Sequence, residues 1–171
     1  MKRSSVSHSF HSKCLRIVLT VDQATVQIEA SVAMNAKTAL ASTRLFSRQF
    51  NLPPRMICIT DHAVALANKL AAWNERRLIR DLYDAWYFLQ MGVLPDAGTL
   101  AARLKKPVYS PRIKVADRFK GDTPAEFYEF VRSHAATLSD QAVLAELADY
   151  LPLEDCEGLA MHIRAALVKL R

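Results

Sequence analysis

Two spacings of apolar positions divide the chain. In the first part they recur at every second residue. In "TVQIEASV", Thr25–Val32, the apolar Val26, Ile28, Ala30 and Val32 alternate with Gln27, Glu29 and Ser31. A period of two predicts a half-buried strand. "CLRIVLT", Cys14–Thr20, predicts a second strand, with Val21–Ala24 as the turn between them. "MICI", Met56–Ile59, follows the Pro53-Pro54 pair and predicts one more short strand. Residues 1–12 are polar and serine-rich and read as loose chain, and residues 35–50 as mixed chain with a short helix. From Asp61 onward the spacing changes to three and four, the period of an amphipathic helix. Thr60 or Asp61 is placed to cap the first helix, Thr99 another, and Ser139 a third. "TPAE", Thr123–Glu126, puts Thr at the cap, Pro at the first helical position and Glu at the third, a capping-box signature. Leu159, Ile163, Ala166, Leu167 and Leu170 give the last helix one apolar stripe. The architecture expected is α+β: a small antiparallel sheet region over 1–60, then a helical bundle of about five helices over 61–171. A sheet of two or three strands buries little by itself, so a further covering element is expected in front of it.

One segment breaks the helical rule. "NKLAAWNERRLIRDLYDAWYFL", Asn68–Leu89, has no glycine or proline. Leu66, Leu70 and Trp73 share one face, and Leu78, Leu82, Ala85 and Leu89 share another. In a straight helix the second face is rotated by roughly 140° from the first. One core cannot receive both, so the segment is expected to break or bend between Trp73 and Leu82. Arg76, Arg77 and Arg80 then fall at or beside the joint. Asp81 and Asp84 fall in the first turns of the second helix, where the helix dipole favours carboxylates. Ion pairing alone accounts for such a cluster on a solvated face. A site of joined function is the competing reading, in which Lys69, Arg76 or Arg77, Arg80, Asp81 and Asp84 converge on one polar concavity.

Composition narrows the classes. The 171 residues are 51% hydrophobic and 23% charged, with net charge +6, so a self-sufficient core and an anionic partner are both expected. Three widely spaced cysteines, Cys14, Cys58 and Cys156, form no C-x-x-C pair and point to a reducing, cytoplasmic setting. The N-terminal residues have no apolar signal core, and no apolar run reaches membrane-spanning length. The five histidines make no metal-binding spacing, and no P-loop or G-x-S-x-G is present. The basic stretches Ala102–Pro107 and Ser110–Lys120 suit a solvated face or contacts to a nucleic-acid backbone.

The spacing of "KLAA" (Lys69–Ala72), Arg76, "RD" (Arg80-Asp81) and "LYDAWYF" (Leu82–Phe88) resembles the C-terminal motif of the AbiEii/AbiGii type IV toxin family, whose members are nucleotidyltransferase-like. The resemblance is clear over roughly residues 15–95. It implies a nucleotidyltransferase sheet remnant followed by the helical bundle, and transfer of a nucleotide from a nucleoside triphosphate to an acceptor such as RNA. It also implies a cognate antitoxin partner. Lys69, Asp81 and Asp84 are implied to be catalytic, with Arg76, Arg77 and Arg80 on the nucleotide or the acceptor. "VQIEASV" is similar to the family strand carrying an acidic residue, which makes Glu29 the implied ligand of a Mg2+ ion. Family members also carry a G-[GS] turn followed by a D-x-[DE] pair. The four glycines here, Gly92, Gly98, Gly121 and Gly158, all follow the segment above, and no such acidic pair precedes Glu29. The chain is therefore expected to be a truncated or split form, inactive alone, whose partner is an antitoxin or a missing N-terminal half. Whether the chain is itself an enzyme stays open. The alternative is a non-catalytic helical module that binds RNA or protein.

Overall fold

The computed structural model describes residues 4–11, 14–22, 24–31, 37–106 and 117–171. The chain divides into two compact units, Met1–Ala36 and Lys37–Arg171.

The first unit is an antiparallel meander of β1 (Ser4–His11), β2 (Cys14–Val21) and β3 (Ala24–Ser31), in the order β1-β2-β3. The register sets Val6 opposite Leu19 and Ile17 opposite Ile28. Asp22 takes the left-handed conformation, φ 55°, at the turn after β2, as a short side chain that bonds locally tolerates. Two expectations are corrected here. The serine-rich start is not loose chain: it is β1, because backbone pairing with β2 requires no apolar side chains of its own. Nor is β3 half-buried, since Val26 and Ile28 on one face and Gln27 and Glu29 on the other are all exposed. The period of two records the pleat, and burial does not follow from it. Val32 and Gln23 lie outside the described residues.

The second unit begins with an antiparallel pair, β4 (Thr38–Ser42) and β5 (Met56–Thr60), with α1 (Arg44–Gln49) in the connection. The short helix expected within 35–50 is present, and strand β4 before it went unread. The Thr43 amide donates to the Arg55 carbonyl (2.8 Å), and the Arg55 amide donates back to the Thr43 hydroxyl (2.9 Å), which closes the connection. Seven helices follow among the described residues: α2 (His62–Arg76), α3 (Ile79–Gln90), α4 (Ala97–Leu104), α5 (Pro124–Ala135), α6 (Asp140–Leu147), α7 (Leu153–Cys156) and α8 (Leu159–Leu167). That exceeds the five expected, α7 being a single turn. Asp61 caps α2 by accepting from Ala63 (2.9 Å) and Val64 (3.3 Å). Thr123 and Glu126 form the expected capping box on α5, and Ser139 caps α6. The cap expected at Thr99 is corrected: Asp96 occupies that position and accepts from the Thr99 amide at 2.7 Å, because the helix starts a turn earlier.

The segment Asn68–Leu89 is broken where the apolar faces diverge. Arg77 turns left-handed (φ 53°, ψ 34°) and Leu78 is extended. The joint brings Leu66, Leu70 and Trp73 of α2 and Leu82, Ala85 and Leu89 of α3 into one core with Leu100, Phe127, Val131, Ile163 and Leu167. α2 packs on α3 and α4, and α3 also on α8. No helix among the described residues is long and apolar enough to cross a membrane.

Candidate functional site

Residues seven apart on a helix differ by only about 20° in direction. Lys69 and Arg76 therefore stand in one row along α2, and Asp81 and Asp84 in one row along the start of α3. The tight joint folds the two helices into an antiparallel hairpin, and the rows meet. Lys69 Nζ lies 2.5 Å from Asp84 Oδ2. Arg76 grips Asp81 with both ends of its fork, Nε to Oδ2 at 2.8 Å and Nη2 to Oδ1 at 2.7 Å.

The two pairs differ in burial. The Asp81 side chain is 0% exposed, whereas those of Lys69 and Asp84 are 40% and 36% exposed. A carboxylate withdrawn from water needs a partner, and Arg76 is that partner. Its hydrogen bond to Asp81 raises the Arg76 pKa above the ordinary arginine range. The bond uses Nε and Nη2, so Nη1 stays outside the pair.

Arg80 and Arg77 part company. The Arg80 guanidinium is exposed and enters no ion pair among the described residues. Its amide and that of Ile79 donate to the two oxygens of Glu146 on α6, at 3.1 and 3.0 Å. Leu78 offers no side-chain oxygen at the start of α3, so a carboxylate distant in sequence caps that helix. Arg77 serves the fold. Its guanidinium lies 4.3 Å from the Trp73 ring centroid and 5.0 Å from that of Phe130. It donates to the carbonyls of Trp73, Asn74 and Asp117 and to Asn74 Oδ1. Burial pushes its pKa down to about 10. The hairpin thus joins Lys69, Arg76, Asp81 and Asp84, leaves Arg80 exposed beside the joint, and uses Arg77 as a strut.

Three polar residues beside this row went unread. Arg103 of α4 bonds Glu75 Oε1 (2.6 Å) and Asn68 Oδ1 (3.3 Å). Asn68 and Glu75 are themselves seven apart, a signal available in the sequence. Their partner on α4 and the cap from Glu146 follow from tertiary packing and leave no local pattern.

Glu29 belongs to the first unit. Its carboxylate faces Arg16 directly across the strand pair, at 2.7 Å, and also accepts from Gln27 at 2.9 Å. Mg2+ demands several oxygen ligands, with carboxylates free to give their lone pairs. Here Glu29, Asp81 and Asp84 each pair with a cation of the chain rather than gathering with further carboxylates. Among the described residues no group of three or more Asp, Glu, His or Cys is placed to hold a metal ion. The donor set present does not fit magnesium. The stretch Ser110–Lys120 lies largely outside the described residues.

A family model described as nucleotidyl transferase AbiEii toxin, type IV TA system, matches residues 3–153. No curated protein and no solved structure matches the chain.

Proposed function

The chain belongs to the AbiEii family of nucleotidyl transferase toxins from type IV toxin–antitoxin systems, and from that premise we propose that its α2–α3 hairpin handles a nucleoside triphosphate during nucleotide transfer to an RNA acceptor. One observation carries the reading: a lysine and an arginine stand in one row of α2, each matched by an aspartate of α3. Lys69 is half-exposed, so a phosphate oxygen can replace Asp84 as its partner at small cost. Arg76 presents Nη1 while Asp81 fixes its plane, and Arg80 extends the cationic row. Attack of the acceptor hydroxyl on the α-phosphorus breaks the bond to the departing diphosphate, whose charge Lys69 and the arginines partly offset. Asp84, released from Lys69, accepts the hydroxyl proton. Asp81 is a positioning residue in this scheme. A cognate antitoxin is the partner that membership in such a family implies.

The chain's own carboxylates do not fit the metal expected of a nucleotidyltransferase. The 171 residues alone are therefore expected to be inactive, and activity to require carboxylates from another polypeptide segment. The engagement of all three candidate carboxylates by cations also favours a second reading, a non-catalytic helical module that binds RNA or protein. The test is incubation of the purified chain with labelled nucleoside triphosphates, magnesium and total RNA. It is run with and without an added segment bearing a glycine turn and an acidic pair. Transfer only when the segment is added, lost on Lys69→Ala, supports the enzyme reading. Absence of transfer in both arms favours the binding module, and transfer by the chain alone overturns the claim that its metal site is incomplete.

A further inference from the structure

Between Glu29 and Asp61 the sequence holds no acidic residue and four cations, Lys37, Arg44, Arg48 and Arg55. Lys37 is paired with Asp96. The three arginines are exposed and enter no ion pair among the described residues. Large apolar side chains share their surface. Leu45 is 83% exposed, Phe46 71%, Phe50 65%, and Leu52 and Met56 61% each. Single exposed leucines need no explanation, but a run of them on one short connection is an interaction surface.

The connection is shaped as well as apolar. One hollow of about 320 Å³ is lined by Phe46, Phe50, Leu52, Pro53 and Arg55. A second, of about 360 Å³, is lined by Arg44, Arg48, Leu52 and Pro54. Ser47 and Leu52 line both, so the two adjoin. Ser47 is buried, and its hydroxyl bonds to that of Thr43 and donates to the Pro53 carbonyl. The ridge between the hollows is therefore fixed, with an apolar hollow on one side and a mainly cationic one on the other.

We infer that the α1 connection docks an acidic, amphipathic segment of a partner protein, with a bulky apolar side chain in the Phe46–Phe50 hollow and a carboxylate beside it on Arg44 and Arg48. Phenylalanine, methionine and arginine are the residue types enriched at protein interfaces. Phe46 and Phe50 offer faces on which bases can stack, but the likewise exposed Leu45, Leu52 and Met56 do not, so the surface as a whole suits apolar side chains of a protein better than a run of bases. A second copy of this chain would set three unpaired arginines against three others, and like charge held that closely opposes association. This inference is independent of the hairpin chemistry.

The probe is a displayed library of short random peptides selected against the full chain. Enriched peptides are expected to carry a bulky apolar residue within one helical turn of an Asp or Glu. Their binding is expected to weaken by about tenfold or more in Phe46→Ser and in Arg44→Glu/Arg48→Glu, and to fall with added salt. These side chains are exposed, so circular dichroism and the melting temperature are expected to stay unchanged. Failure to enrich any peptide, enrichment of peptides without acids, or indifference to both variants overturns the inference. So does single-stranded RNA binding that is lost in both variants while peptide binding persists. Self-association in sedimentation that Phe46→Ser abolishes also overturns it, by making a second copy the occupant.

Discussion

Asp81 and Asp84 sit one turn apart on one helix and have different tasks. Asp81 is fully withdrawn from water and held by the fork of Arg76, so removing Arg76 leaves a buried charge without a partner. Asp84 and Lys69 share a half-exposed pair, where solvent screens the attraction. The expected outcome is a wide separation on alanine replacement. Arg76→Ala costs about 3 kcal/mol of unfolding free energy, and Lys69→Ala less than about 1 kcal/mol, both read by urea titration. Equal losses would contradict the division into a structural pair and a pair proposed for the chemistry. Any effect of Lys69→Ala on transfer then belongs to the site rather than to the fold. Arg77 lies in the same basic cluster in sequence, yet its Nη1 donates to the Trp73 and Asn74 carbonyls that end α2 and its Nη2 to the Asp117 carbonyl.

Among the elements, the break between α2 and α3 was legible because it is a geometric necessity: two apolar faces about 140° apart cannot serve one core. The caps at Asp61, Thr123 and Ser139 were legible for a similar reason, since each satisfies orphan amides from a fixed sequence distance. Strand β1 was not legible, because backbone pairing with β2 leaves little trace in a serine-rich sequence. Exposure of β3 was hidden too, since alternation sets which way side chains point and not what covers them. The cap on α3 comes from Glu146, a residue on α6, and no local pattern announces it. It should behave as other caps do. Glu146→Ala is expected to lower stability by about 1 kcal/mol, with Glu146→Gln, which keeps an acceptor oxygen, losing less in the same denaturation series. An alanine variant as stable as the parent would show that water replaces the carboxylate without loss.

Across the second unit, one charged contact joins parts far apart in sequence. Lys37, before β4, bonds Asp96, the cap of α4, at 2.9 Å. That hydrogen bond, with those from Thr99, holds the Asp96 carboxyl well below the usual carboxylate range and raises the Lys37 pKa. A depressed carboxylate stabilises the fold above its unfolded pKa of about 3.9, and the contribution is lost as pH falls through the lower folded value. Stability is therefore expected to decline in acid below about pH 4. Asp96→Asn keeps a capping oxygen but removes the charge, so it should flatten that decline. An unchanged acid limb, measured by urea midpoint against pH, would remove Asp96 from the account. The contacts of the candidate site are of the opposite kind. Arg76 and Asp81 are separated by five positions, and Lys69 and Asp84 also belong to neighbouring helices. The cap from Glu146 spans 67 positions and the bond from Lys169 to the Leu89 carbonyl spans 80. The entropy of closing a loop grows with its length. The row of charges proposed to carry the chemistry thus closes shorter loops than the contacts made by Glu146 and Lys169, and chain topology hinders its assembly less than theirs.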